Sequence, residues 1–187
     1  AYTSLRGERR QIKKASDIKP WLAKFPELAL VADVSADFLY PDGRSSITSK
    51  NWQEITDRIE EVYKDVDGIV VMHGPESMNY TANAISLACH QTRKPIVLTG
   101  ANPTSHRSGT RRSLEHSDEE SGIRANLINA AQLATNDLAE VVAVRGNSIL
   151  RASSLASNRH EETGVLGKID FGIRLKKLPR KNNQGRI

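Results

Sequence analysis

Along the chain, short continuous apolar runs alternate with stretches whose apolar residues recur every three or four positions. That alternation predicts a parallel α/β sheet: strands covered on both faces are apolar throughout, while their crossover helices are apolar on one side only. Residues 28–34 (LALVADV), 68–72 (GIVVM), 95–99 (PIVLT) and 140–144 (EVVAV) read as strands. Between them, Ser49 is placed to cap a helix whose apolar face holds Trp52, Ile55, Ile59 and Val62. A second helix over 78–91 puts Met78, Ala82, Ile85 and Cys89 on one face, and a third covers 124–135. Short links between strand, helix and strand predict right-handed crossovers. The periodicity is lost after Ile149 and Leu150. The fold class expected is α/β: an open, mostly parallel sheet flanked by helices.

Ligands of open α/β sheets settle beyond the C-terminal ends of the strands. Two such ends carry distinctive residues: His73-Gly74-Pro75-Glu76-Ser77 after one strand, and Gly100-Ala101-Asn102-Pro103 after the next. If the two strands are neighbours, the two loops meet. The polar stretch 102–122 carries both charge signs and is longer than an ordinary structureless connection. Its Arg107, Arg111 and Arg112 suit either an anion grip or a solvated loop, the acids Glu115, Asp118, Glu119 and Glu120 following closely.

Composition narrows the class. A chain of 187 residues, 38% hydrophobic and 26% charged, can bury a core and is not of disordered type. No stretch approaches the roughly 18 apolar residues that span a bilayer. The polar, basic N-terminus has no apolar signal core. A cytoplasmic protein without membrane contact is expected. The net charge of +5 is unevenly placed. Residues 171–187 hold six basic residues and no acid, whereas residues 1–170 carry 21 basic against 22 acidic side chains. The chain therefore divides into a domain over 1–170 and a basic linker or tail over 171–187. That tail is either a solvated connection or an RNA-contacting segment. The one cysteine, Cys89, excludes an intrachain disulfide, and no metal site is expected.

Three blocks resemble the L-asparaginase family, which includes the asparaginase-like subunit of archaeal glutamyl-tRNA amidotransferase. DGIVVMHGPESM (67–78) is similar to the family's DGIVVTHGTDTM, KPIVLTGA (94–101) to KPVVLTGA, and NLINAA (126–131) to its NL-x-NA helix. GRSSITSKNW (43–52) is more weakly similar to DSSNMTPEDW, and the likeness runs over about residues 15–170. The resemblance implies the family's N-terminal α/β domain and cofactor-free hydrolysis of the side-chain amide of asparagine. In that chemistry a threonine of a TGGT turn attacks the amide carbon. A second threonine, an aspartate and a lysine move protons, and backbone N–H groups hold the oxyanion.

Carried over residue by residue, the second threonine falls on Pro75, which has neither hydroxyl nor N–H. The aspartate falls on Glu76, which keeps a carboxylate on a longer stem and could hold a substrate amino group. The alternative for Glu76 is a carboxylate resting on a helix N-terminus. The lysine falls near Asp137, reversing the charge, and no lysine lies between Lys94 and Lys168. The substrate-binding positions implied are Ser45, Ser46, Gly74, Glu76, Ser77 and Ala101. His73 reads as a space-filling residue at a strand end rather than a general base.

TGGT is absent and the first family strand is expected to be missing, as in a fragment starting just after that motif. Two functions follow. One is a fragment or divergent asparaginase-type amidohydrolase with impaired catalysis, acting on a small-molecule amide or holding an aspartate-like ligand. Such a chain would form a homo-oligomer or take a partner that supplies the missing strand and the C-terminal domain. The other is an inactive binding or scaffold protein, a pseudoenzyme contacting RNA through its tail.

Overall fold

A computed structural model describes residues 2–5, 8–11, 15–39, 47–74, 77–100, 116–155 and 165–168. It begins with a hairpin, β1 (Tyr2–Leu5) and β2 (Glu8–Gln11), paired antiparallel to each other and not to the main sheet. A short helix α1 (Ile18–Leu22) and a 3₁₀ segment (Pro26–Leu30) follow. The elements after them are α2 (Ser49–Val62), β3 (Ile69–Met72), α3 (Met78–Ala88), β4 (Ile96–Thr99), α4 (His116–Ala134), β5 (Val141–Arg145), β6 (Ser148–Arg151) and β7 (Val165–Lys168). The sheet has the order β3-β4-β5-β6-β7. Strands β3, β4 and β5 are mutually parallel, and β6 runs against both of its neighbours, so four of the five strands point one way. The expected open, mostly parallel α/β sheet is what forms.

Alternation along the strands sorts the core into two layers. Ile96 and Leu98 of β4, with Val141 and Ala143 of β5, face α2 and α3 and pack with Ile55, Ile59, Met78, Ala82 and Ile85. Val97, Val142 and Val144 point the other way, onto Ala130 and Leu133 of α4. All four residues of β4 are therefore buried, which is why its sequence is apolar from Ile96 to Leu98 before the buried Thr99. Strand β3 is half-buried along its length and lies at the sheet edge among the described residues. A third cluster joins Ile18, Trp21, Phe25 and Leu28 to Leu127 and Ala131 of α4.

Helix α4 comes so near the start of β3 that a Cβ on Gly68 would lie 2.0 Å from the Ala134 carbonyl oxygen. That contact fixes the direction of α4, whose C-terminus stands at the edge of the sheet where the parallel strands begin. Its other half reaches the edge where they end.

Several expectations are corrected. Residues 28–34 are not a strand: Phe25, Leu28 and Val31 turn inward at a spacing of three while Leu30 is 87% exposed, and Pro26 opens the 3₁₀ segment. The cap of α2 is Thr48, one residue earlier than Ser49; its N–H donates to Asn51 Oδ1 at 2.9 Å. Helix α3 ends at Ala88 rather than residue 91. The stretch 102–122 is not all loop, because α4 starts at His116, eight residues ahead of the expected 124. Residues 101–115 and the basic segment 171–187 lie outside the described residues. Among the described residues, no helix is long and apolar enough to cross a membrane.

Candidate functional site

The ends of β3 and β4 lie side by side, as their parallel register requires. The His73 N–H donates to the Thr99 carbonyl at 2.8 Å, extending the ladder one residue past β3. A Cβ on Gly100 would sit 1.9 Å from the His73 carbonyl oxygen, so glycine is what lets the second loop start against the first. The two distinctive loops therefore leave the sheet from adjacent points.

Asn126 of α4, 1% exposed, ties this edge to the next strand. Its Nδ2 donates to the Gly100 carbonyl at 2.7 Å, and its Oδ1 accepts the Gly146 N–H at 2.9 Å. Asn129 donates to the Gly146 carbonyl at 3.1 Å. Gly146 has φ of +54°, the left-handed turn conformation that lets β5 fold back into β6. The buried Thr99 hydroxyl lies 3.3 Å from the Val144 carbonyl. Arg145, at the end of β5, pairs with Asn79 in the first turn of α3. Asn83 reaches the Leu155 carbonyl at 2.6 Å and brings the segment after β6 onto α3.

His73 is engaged at both ring nitrogens. Nδ1 is 2.7 Å from the Gly74 carbonyl, and Nε2 is 3.0 Å from Thr81 Oγ1 on α3. Trp52 of α2 donates its indole N–H to the same Thr81 oxygen at 3.1 Å. Burial holds the imidazole pKa below its usual value, against the opposing effect of the Gly74 carbonyl. A neutral ring with both nitrogens occupied fills the strand end and is poorly set up as a general base.

Gly74 is exposed, with none of the described residues within 4 Å of where a Cβ would stand. Ser77 occupies the N-cap position of α3 without a side-chain cap bond, and its carbonyl accepts the Thr81 N–H at 3.1 Å. Pro75, Glu76, Ala101, Ser45 and Ser46 lie outside the described residues. Asp137 is not brought to the loops. It is exposed, three residues past Ala134, at the edge where the parallel strands begin, because α4 runs antiparallel to them. The residues that do meet at the loop edge are Trp52, Asn79, Thr81, Thr99, Asn126 and Arg145. Polar residues interrupting apolar faces were the signal for Thr81 and Asn126, and Asn126 opens the NLINAA block.

Cys89 is half-buried, and burial, with a smaller contribution from Glu60, raises its pKa. His90 is exposed and its Nδ1 contacts the Leu87 carbonyl at 3.2 Å, so the two neighbours form no dyad. Among the described residues, no three His, Cys, Asp or Glu side chains are grouped to hold a metal ion.

Comparison with known proteins agrees with this architecture. The family model described as asparaginase, N-terminal, matches residues 4–174. A glutamyl-tRNA(Gln) amidotransferase subunit of Archaeoglobus fulgidus is 31% identical over 120 residues, 64% of this chain and 26% of that protein. L-asparaginase 1 of Escherichia coli K12 is 27% identical over 141 residues, 72% of this chain and 38% of the relative. The crystal structure of L-asparaginase I from Vibrio cholerae superposes with a TM-score of 0.65 at 25% identity, covering 91% of this chain and 52% of that one. The chain thus spans between a quarter and about half of the length of these relatives. With the matching model running through nearly the whole sequence and the same sheet beneath it, the chain belongs to the asparaginase family, in the part that forms its N-terminal domain.

Proposed function

We propose that this chain carries the N-terminal part of an asparaginase-type amide-hydrolysing site whose proton relay is impaired at Pro75. The observation that supports this most is the joining of the two loop origins, His73 against Thr99 and Gly100. It sets the HGPES segment and the loop after β4 at one edge, where ligands of such sheets bind. The substrate class is a small amide of the asparagine type, and the product an aspartate-like carboxylate. Proline at position 75 has no hydroxyl to pass a proton and no N–H to stabilise an oxyanion. Glu76 keeps a carboxylate for a substrate amino group, and Ser77, Gly74, Ala101, Ser45 and Ser46 complete the proposed pocket. Asp137 has no part in it. The remainder of a full site is supplied by a further domain or by a second copy of the chain, and no metal or organic cofactor is invoked.

The test is release of ammonia from asparagine and from glutamine by the purified chain, alongside titration with aspartate by calorimetry. Saturable aspartate binding with no ammonia release above background is expected. Rapid, saturable ammonia release would overturn the impairment, and absence of aspartate binding would overturn the retained pocket.

A second reading rests on the charge of residues 171–187, six basic residues without an acid. In that reading the domain is an inactive scaffold and the basic segment contacts RNA. Likeness to the Archaeoglobus protein, a glutamyl-tRNA(Gln) amidotransferase subunit, accords with it. Salt-sensitive RNA binding that vanishes on removal of residues 171–187 is its expected mark. Binding indifferent to salt or to that removal refutes it.

A further inference from the structure

Hydrogen-bonding capacity leaves one arrangement of protons among Trp52, Thr81 and His73. The Trp52 indole can only donate, so Thr81 Oγ1 accepts from it at 3.1 Å. The Gly74 carbonyl can only accept, so the ring nitrogen 2.7 Å away, Nδ1 of His73, carries a hydrogen. In a neutral imidazole the other nitrogen is then a bare acceptor. The single hydroxyl hydrogen of Thr81 fills it, across 3.0 Å. Every donor in this relay meets one acceptor, and the bonds run in one direction from α2 through α3 to the loop after β3. The partial burial that disfavours an imidazolium at this position acts in the same sense.

We propose that Thr81, oriented by Trp52, is a positioning residue that holds His73 as its Nδ1–H tautomer and through it sets the direction of the Gly74 carbonyl. Gly74 is the first residue of the HGPES segment beyond His73, so its carbonyl is the described point at which that segment begins. Gly74 has no side chain, and among the described residues none comes within 4 Å of its Cβ position to set that direction otherwise. The bracing reaches the loop from two helices: Trp52 lies on α2, and Thr81, 0% exposed, on α3. It holds whether or not the chain hydrolyses an amide, and it leaves His73 no nitrogen for a substrate.

The test uses the full 187-residue chain, labelled with ¹⁵N and ¹³C, and long-range ¹H–¹⁵N correlation of the histidine rings at neutral pH. The chain has five histidines, and the His73 signals are identified by their loss in His73→Gln. A single tautomer with Nδ1 protonated and Nε2 bare is expected. In Thr81→Val, which keeps the shape and loses the hydroxyl, the Nε2 signal should move and the Gly74 carbonyl ¹³C signal should move with it. Thr81→Ser should restore both. A wild-type ring that is protonated at Nε2 overturns the proposal without recourse to any variant. So does a Thr81→Val protein whose Nε2 or Gly74 signal stays in place.

Discussion

Replacing Gly100 with alanine tests whether the junction of the two loops is as tight as it looks. The added Cβ would lie 1.9 Å from the His73 carbonyl oxygen, where ordinary contact begins at 3.4 Å. It falls about 1.5 Å short, and the obstacle is main chain that cannot swing aside as a side-chain tip can. To make room, the ends of β3 and β4 must part, and the first bond affected is His73 N–H to the Thr99 carbonyl at 2.8 Å. Overpacking of this kind costs about 1–3 kcal/mol, and a lost buried hydrogen bond adds about 1 kcal/mol. A destabilisation of about 2–4 kcal/mol is therefore expected. With a urea slope of about 1–3 kcal/mol per molar, the midpoint should fall by roughly 1 M or more. Gly74→Ala is the internal control: with no described residue within 4 Å of its Cβ and no positive φ, it should shift stability by less than about 1 kcal/mol. Equal midpoints for Gly100→Ala and Gly74→Ala, measured by urea denaturation followed by circular dichroism, would refute the reasoning.

Three further outcomes can be checked. Asn126→Ala leaves the buried Gly100 carbonyl and the part-buried Gly146 N–H without their partner; at about 1–3 kcal/mol for a buried orphan and less for a part-buried one, a loss of about 2–4 kcal/mol should appear in the same denaturation experiment. Because His73 has a lowered folded pKa, the unfolded chain binds more protons as the pH drops, so stability is full above the usual pKa of 6.5 and declines as pH falls from there through the folded pKa. Denaturation midpoints of His73→Gln should fall less steeply than those of the parent below that pH; parallel slopes would exclude the link. Cys89, with its pKa raised by burial and Glu60, should react with a thiol reagent at neutral pH much more slowly in the folded chain than in urea, and equal rates would contradict its placement.

The parallel strands and their helices were legible because burial on both faces leaves a plain mark: β4 is apolar from Ile96 to Leu98, and α2 repeats its apolar residues at helical spacing. What escaped was set by shorter-range chemistry. In LALVADV the apolar density resembles a strand, yet the inward residues Phe25, Leu28 and Val31 follow a spacing of three that becomes visible only when Pro26 is taken as the opening of a turn. The start of α4 was hidden because its first residues, HSDEES, show little apolar pattern in the sequence. At the site, motif likeness located the loops but not the partners. Thr81 meets His73 at the end of β3, and Asn79 meets Arg145 at the end of β5; no spacing in the sequence reveals either meeting. Alignment set Asp137 near the family lysine, and alignment along a helix says nothing about which edge of the sheet the end of that helix reaches.

The close backbone contacts at Gly68 and Gly100 also shape how such a chain can diverge. Each position presses on a carbonyl, one at either end of the β3–β4 pair, and so admits a single residue type if the frame is to persist. Between them the loop begins at Gly74, where an added Cβ meets none of the described residues. Selection for folding therefore scans the two ends of the strand pair closely and overlooks the start of the segment that carries the chemistry. A side chain can be gained or lost at Gly74 itself while the described scaffold records almost no trace of either event.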